Sequence, residues 1–203
     1  IMSRYTGSIN RKSRRLHFSL LENNKEFLKG KKREYAPGQH GAANKKLSGY
    51  GQQLAEKQKL ALMYGINDRQ FRRLFRIASQ MKGATTLNLL IVLESRLDNL
   101  VYRMGFAPTR RAARQLVTHG HVLVNGQKCD IPSLIVNVGD EISIKEKSQK
   151  LPVVKANESE PLKFVTVDKA KLSGKYTRFP ERSELNQEVN ETNVVEWFSR
   201  IVK

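Results

Sequence analysis

Phe71, Leu74, Phe75 and Ala78 recur at i, i+3, i+4 and i+7, the period of a helix that buries one stripe. Arg69, Arg72, Arg73 and Arg76 repeat the same intervals two residues earlier, about 200° around the helix axis. One face is therefore expected to be core and the opposite face arginine alone, without the Glu that an ordinary solvated helix intersperses for i, i+4 pairing. Asn67 and Gln70 form a capping-box-like start for this helix. Ser48 caps an earlier one that runs to about residue 64, with Gly65 as its left-handed terminator.

A second apolar stripe, Leu97, Leu100, Val101 and Met104, ends at Gly105. Pro108 and Thr109 restart the chain, and Thr109 is the expected cap of a helix that ends at Gly120. Its stripe is Ala113, Leu116 and Val117, which predicts that Arg110, Arg111, Arg114 and Gln115 face away from the core. The pattern then changes to strand. His121-Val122-Leu123-Val124 leads into Asn125-Gly126 and Gln127-Lys128-Cys129, a two-residue hairpin signal, and Glu141-Ile142-Ser143-Ile144-Lys145 alternates as a further strand. Near the end, Val194, Val195, Trp197 and Phe198 read as the packing face of a short terminal helix rather than a platform for stacked bases.

Composition adds a partner class. The chain has 203 residues, 39 % of them apolar, enough for one domain or two small ones. The longest aliphatic run, residues 89–93, falls far short of the roughly 20 apolar residues of a spanning helix, so no membrane is expected. The first residues lack an apolar signal core, so secretion is not expected either. Cys129 is the single cysteine, which excludes an internal disulfide and a Cys-rich zinc site and fits a reducing cytosolic compartment. Against this stand 37 Lys and Arg and 19 Asp and Glu, a net +18 that points to a polyanion. Residues 1–50 hold 12 basic and 3 acidic side chains, whereas residues 151–203 hold 9 and 8, so the polyanion is expected at the front.

Residues 1–46 read as a basic arm, extended when free and ordered on phosphate; the alternatives are a solubilising tail or a localisation signal. Its candidate contacts are Arg4, Arg11, Lys12, Arg14, Arg15, Lys31, Lys32, Arg33, Tyr35, His40, Lys45 and Lys46. Tyr35-Ala36-Pro37-Gly38-Gln39-His40-Gly41 marks a tight turn. No Gly-x-Ser-x-Gly elbow, phosphate-binding G-x-x-x-x-G-K-[ST] loop or His-Glu-x-x-His helix occurs, which argues against an enzyme. His119 and His121 flank a glycine with no further Cys or His nearby, so an RNA or surface role is favoured over a metal. Glu181, Glu184 and Glu188 are interleaved with Arg178 and Arg182 and are expected to be solvated or protein-facing.

The run Ser95-Arg96-Leu97-Asp98-Asn99-Leu100-Val101-Tyr102-Arg103-Met104-Gly105, with Thr109-Arg110-Arg111-Ala112-Ala113-Arg114-Gln115-Leu116-Val117 and His119-Gly120-His121-Val122-Leu123-Val124-Asn125-Gly126, resembles the RNA-binding module named after ribosomal protein S four. That module also occurs in RNA-modifying enzymes. The flanks narrow the resemblance: residues 35–41, 47–75 and 190–200, and Tyr176-Thr177-Arg178-Phe179-Pro180-Glu181-Arg182-Ser183-Glu184-Leu185, are similar to the bacterial or organellar ribosomal protein S four family.

The resemblance implies an α+β fold: a helical domain at residues 47–93 and 181–203, and a second domain of antiparallel sheet with helices at 94–180, its module at about 94–150. An extended basic arm, residues 1–46, precedes both. It implies a structural constituent of the small ribosomal subunit that binds its rRNA early at a multi-helix junction, nucleates assembly of the body and, with protein S five, influences accuracy. The implied location is a cytoplasmic or organellar ribosome, near the channel through which messenger RNA enters. Arg110, Arg111, Arg114, Gln115, His119, Asn125 and Lys128 match the module's RNA-facing helix and hairpin. Some relatives carry a zinc-binding Cys cluster in the arm; this chain has no Cys there, so neither metal nor cofactor is expected. The alternatives are a fragment of an RNA-modifying enzyme, for which residues 151–203 are too few to supply a catalytic domain, and a nonspecific nucleic-acid binder.

Overall fold

The computed structural model describes residues 5–24, 27, 35–43, 46–155 and 160–201. Contacts gather the chain into two compact units, Ile1–Thr86 with Asn186–Lys203, and Leu87–Leu185. The helices are α1 (Ile9–Leu16), α2 (Gly49–Met63), α3 (Asp68–Gln80), α4 (Thr85–Glu94), α5 (Leu97–Arg103), α6 (Arg110–Thr118), α7 (Pro152–Lys155) and α8 (Glu191–Ile201). The strands are β1 (Val122–Val124), β2 (Gln127–Lys128), β3 (Glu141–Ile144), β4 (Val165–Asp168) and β5 (Ser173–Tyr176), all antiparallel in the order β2-β1-β3-β5-β4. The fold class is α+β, as the sequence implies.

In the first unit the expected caps form. Ser48 Oγ accepts from Gly51 N at 3.2 Å and Asn67 Oδ1 from Gln70 N at 2.8 Å, satisfying amides that have no partner within the helix. Phe71, Leu74, Phe75 and Ala78 are buried. The returning α8 supplies Phe198, which meets Phe71 edge-on with centroids 4.9 Å apart and stacks on Phe75 at 4.7 Å. Each such buried ring contributes about 2 kcal/mol by area, and aromatic geometry adds to that. Gln53 Nε2 of α2 donates to Glu196 Oε2 of α8 at 2.7 Å, and Lys57 stands 4.5 Å above the Trp197 ring.

The segment expected to be extended holds an eight-residue helix, α1. Ile9 and Ser13 are buried, the chain reverses at His17 with φ 47°, and Phe18 and Leu20 are buried beyond it. Phe18 N donates to Ser13 O at 3.1 Å, and Lys59 Nζ lies 5.5 Å over the Phe18 ring. The charge of this segment conceals a few apolar side chains spaced so that one helical turn and a reversal can bury them together.

In the second unit α4 leads into α5 through Ser95 and Arg96. The first amides of α5 are satisfied from a distance: Leu97 N donates to Leu134 O at 2.8 Å and Asp98 N to Pro132 O at 3.1 Å. Thr109 Oγ1 caps α6 by accepting from Ala112 N at 3.2 Å. The hairpin pairs Val124 with Gln127 across Asn125 (φ 50°) and Gly126 (φ 78°), the two left-handed residues that match strand twist. Val122, Ile142 and Ile144 turn inward.

Candidate RNA interface

In the first unit, Arg69, Arg72, Arg73 and Arg76 are exposed on α3, opposite its buried stripe. The face is not arginine alone. Arg72 Nε donates to Asp68 Oδ2 at 2.9 Å, and Asp68 also accepts from Lys57. Burial works to raise the Asp68 carboxyl, but hydrogen bonding and charge from Lys57 and Arg72 outweigh it and hold the group below its ordinary value. Arg69, Arg73 and Arg76 make no ion pair among the described residues, so three guanidinium groups project from a rigid scaffold with their donors available.

On α1, Arg11 and Arg15 are exposed, and Lys12 stands 5.1 Å from the Tyr5 ring centroid. Arg14 Nε donates to Tyr35 O at 3.0 Å and the guanidinium lies 5.9 Å from that ring, tying α1 to the turn at 35–41. The turn closes through Gly41 N to Gly38 O at 3.2 Å, with Gly38 at φ 109°, and leaves Tyr35 and His40 exposed; Lys46 is exposed beyond it. The expected contacts Arg4, Lys31, Lys32, Arg33 and Lys45 lie outside the described residues.

The second unit corrects part of the expectation for α6. Arg114 is buried, and its Nη1 donates at 2.9 Å to Asp98 Oδ2, which also receives Arg96 Nη2 at 2.8 Å. Arg110 is turned inward too, its side chain 10 % exposed: Nε donates to Asn99 Oδ1 at 2.8 Å and the guanidinium stacks 4.7 Å from the Tyr102 ring. The neighbouring acceptor is Glu94, fully buried, which takes Arg103 Nη2 at 2.7 Å and Asn99 Nδ2 at 2.6 Å. The apolar stripe Ala113, Leu116 and Val117 did not reveal this because it reports only the hydrocarbon side of the core. The signal lay in the preceding run, where Glu94, Arg96, Asp98 and Arg103 alternate with the apolar stripe of Leu97, Leu100 and Val101.

Arg111, Gln115 and His119 remain exposed along α6 and its end, spaced as helix neighbours. Lys128 of β2 joins them. Its side chain crosses Gly120, where a Cβ would collide with Lys128 Cε, so the glycine that terminates α6 also lets the hairpin lysine lie against the helix end. Asn125 is exposed at the hairpin tip; its Nδ2 donates to Asp140 Oδ1 at 2.8 Å and its Oδ1 accepts from Glu141 N at 2.9 Å, so its amide also holds the adjoining turn. His119 and His121 have ring centroids 6.0 Å apart, and His121 Nδ1 shares a hydrogen bond with Ser148 Oγ at 2.9 Å. Among the described residues no group of three or more His, Cys, Asp or Glu could hold a metal ion.

Fixed guanidinium and ammonium groups on helical and hairpin supports suit phosphate contact, which positions a partner without reading its sequence. Comparison with known proteins agrees in kind. Residues 4–94 match the family described as Ribosomal protein S4/S9 N-terminal domain, and residues 95–142 match the S4 domain. The chain is 65 % identical to the small ribosomal subunit protein uS4 of Ureaplasma urealyticum serovar 10, over 99 % of this chain and 100 % of the relative. It is 64 % identical to that of Malacoplasma penetrans over the same shares, and 60 % identical to that of Mycoplasmoides gallisepticum over 100 % of both. By these matches across its whole length, the chain belongs to the ribosomal protein S4 family.

Proposed function

We propose that this chain is a primary binder of small-subunit ribosomal RNA, docking early at a multi-helix junction in the body and nucleating its assembly. As a member of its family it is a structural, non-enzymatic constituent of the small ribosomal subunit, ribosome-bound in the cytoplasm. The enzyme-fragment reading falls with that membership.

The observation that carries the RNA reading is α3, where Arg69, Arg73 and Arg76 stand unpaired among the described residues and opposite a buried aromatic stripe. An arrangement that held them only for solubility would interleave carboxylates. In the second unit the contacts are Arg111, Gln115, His119, Asn125 and Lys128, with Arg110 and Arg114 supporting from within. In the first they include Arg11, Lys12, Arg14, Arg15, Tyr35, His40 and Lys46, and the basic clusters at Arg4, Lys31, Lys32, Arg33 and Lys45 extend them. The resemblance to the family also supports contact with protein S five, an influence on decoding accuracy, and a position near the channel that admits messenger RNA.

The test is binding of the full chain to the rRNA junction in a salt titration, with duplex DNA and transfer RNA as competitors. Preference for the junction supports the reading; equal affinity for all three returns the nonspecific binder.

A further inference from the structure

The sequence places most of the basic excess at the front of the chain, yet folding gathers lysines from its second half around one opening. A cavity of about 430 Å³ in the second unit is floored by Met104, Phe106, Val154 and Leu172, and Lys150 and Lys169 stand at its wall. Neither lysine makes an ion pair among the described residues, and none of the surfaces described above includes them. Asp168, the nearest acid in sequence to Lys169, has Oδ1 accepting from Ala170 N at 3.0 Å and Lys171 N at 3.3 Å, so its charge is drawn into the turn's own backbone.

We infer that this cavity is a nucleotide site: an unstacked base lies against Val167 and Leu172, and Lys150 and Lys169 take its phosphate. The volume lies within the range of small-ligand pockets, and flipped bases are held between apolar side chains in just such slots. The wall also carries a means of orientation. Gln149 Nε2 donates to Ile144 O at 3.5 Å and Lys171 O at 3.3 Å, which fixes the amide and leaves Oε1 to accept from an exocyclic amino group. Leu172 is held at φ 47°, a left-handed conformation costly for its side chain, while its carbonyl accepts from Ile144 N at 3.0 Å. Strain of that kind persists where the surroundings impose it, and it clusters at ligand clamps.

The nucleotide has two sources, an unpaired residue of RNA or a free mononucleotide. Only the first rests on the proposed function. The test follows methyl resonances of Met104 and Leu172 in the full chain during titration with adenosine 5′-monophosphate, adenosine and inorganic phosphate. Saturable shifts with the monophosphate at both methyls, weaker with adenosine and absent with phosphate, are expected. Ala170→Phe, at an exposed position on the cavity wall, should abolish them without changing the unfolding midpoint. Absence of a monophosphate-dependent shift in the native chain, or shifts equal to those with phosphate alone, would overturn the site.

A second arm adds the rRNA junction. If RNA supplies the nucleotide, the bound junction blocks the monophosphate shifts, and Lys150→Gln with Lys169→Gln lowers the log–log salt slope of RNA binding by roughly 0.7 per lost contact. If the shifts persist on the RNA complex and the slope is unchanged, the site takes free nucleotide.

Discussion

At the scale of single residues, one rule separates the arginines of this chain: what lies within hydrogen-bond reach decides whether the charge serves the fold or the surface. Arg114 shares Asp98 with Arg96 in a buried triad, so Arg114→Ala removes one hydrogen bond from a buried carboxylate that Arg96 still pairs, and is expected to cost about 1–3 kcal/mol in denaturant unfolding. Arg111, three residues before Arg114 on α6, is exposed, and Arg111→Glu is expected to weaken RNA binding while the unfolding midpoint stays within experimental scatter. The reverse pattern would show that the two roles are exchanged. Glu184 provides a pH test. A hydrogen bond from Arg178, with Nη1 to Oε2 at 2.9 Å, holds its carboxyl below the ordinary value, so the pair contributes stability above that value and loses it as pH falls through the depressed one. Glu184→Gln should therefore lower the melting temperature near neutral pH and not in strong acid, by a small amount because the guanidinium is exposed and screened.

At the scale of elements, the proposed RNA contact of the first compact unit is tested most simply at α3. Neutralising Arg69, Arg73 and Arg76 to Gln is expected to flatten the log–log salt dependence of RNA binding by roughly 2–3, at about 0.7–0.9 per contact, with the helix still folded on Phe71 and Phe75. An unchanged slope would make the face ordinary surface. What the sequence disclosed about such elements followed from their period. The α3 stripe, the Ser48, Asn67 and Thr109 caps and the Asn125-Gly126 hairpin were legible because each is decided within a few residues. β4 and β5 were not placed in advance: VTVD and SGKY are each four residues long, and their pairing is fixed by β3 and by each other rather than by alternation. The inward turn of Arg110 and Arg114 was hidden for a related reason, since their partners Asn99 and Asp98 lie on a different helix.

At the scale of the whole molecule, each compact unit presents its own basic surface, and the basic N-terminal segment belongs to the first unit through Ile9, Phe18 and Leu20. Deleting residues 1–46 removes the buried Ile9, Phe18 and Leu20 side chains, worth about 2 kcal/mol each, so hydrogen exchange in α2 should accelerate while the sheet of the second unit keeps its protection. Equal protection in both would make the segment an appendage. The central claim is that these surfaces recognise a folded rRNA junction rather than negative charge in general. The direct measurement is a salt-titrated competition in which the full chain, bound to the small-subunit rRNA junction, is challenged with equal-length duplex DNA and with transfer RNA. Retention of the junction against a large excess of either competitor, at a salt concentration where both have dissociated, is the predicted result. Displacement by both competitors at equal concentrations would contradict the account.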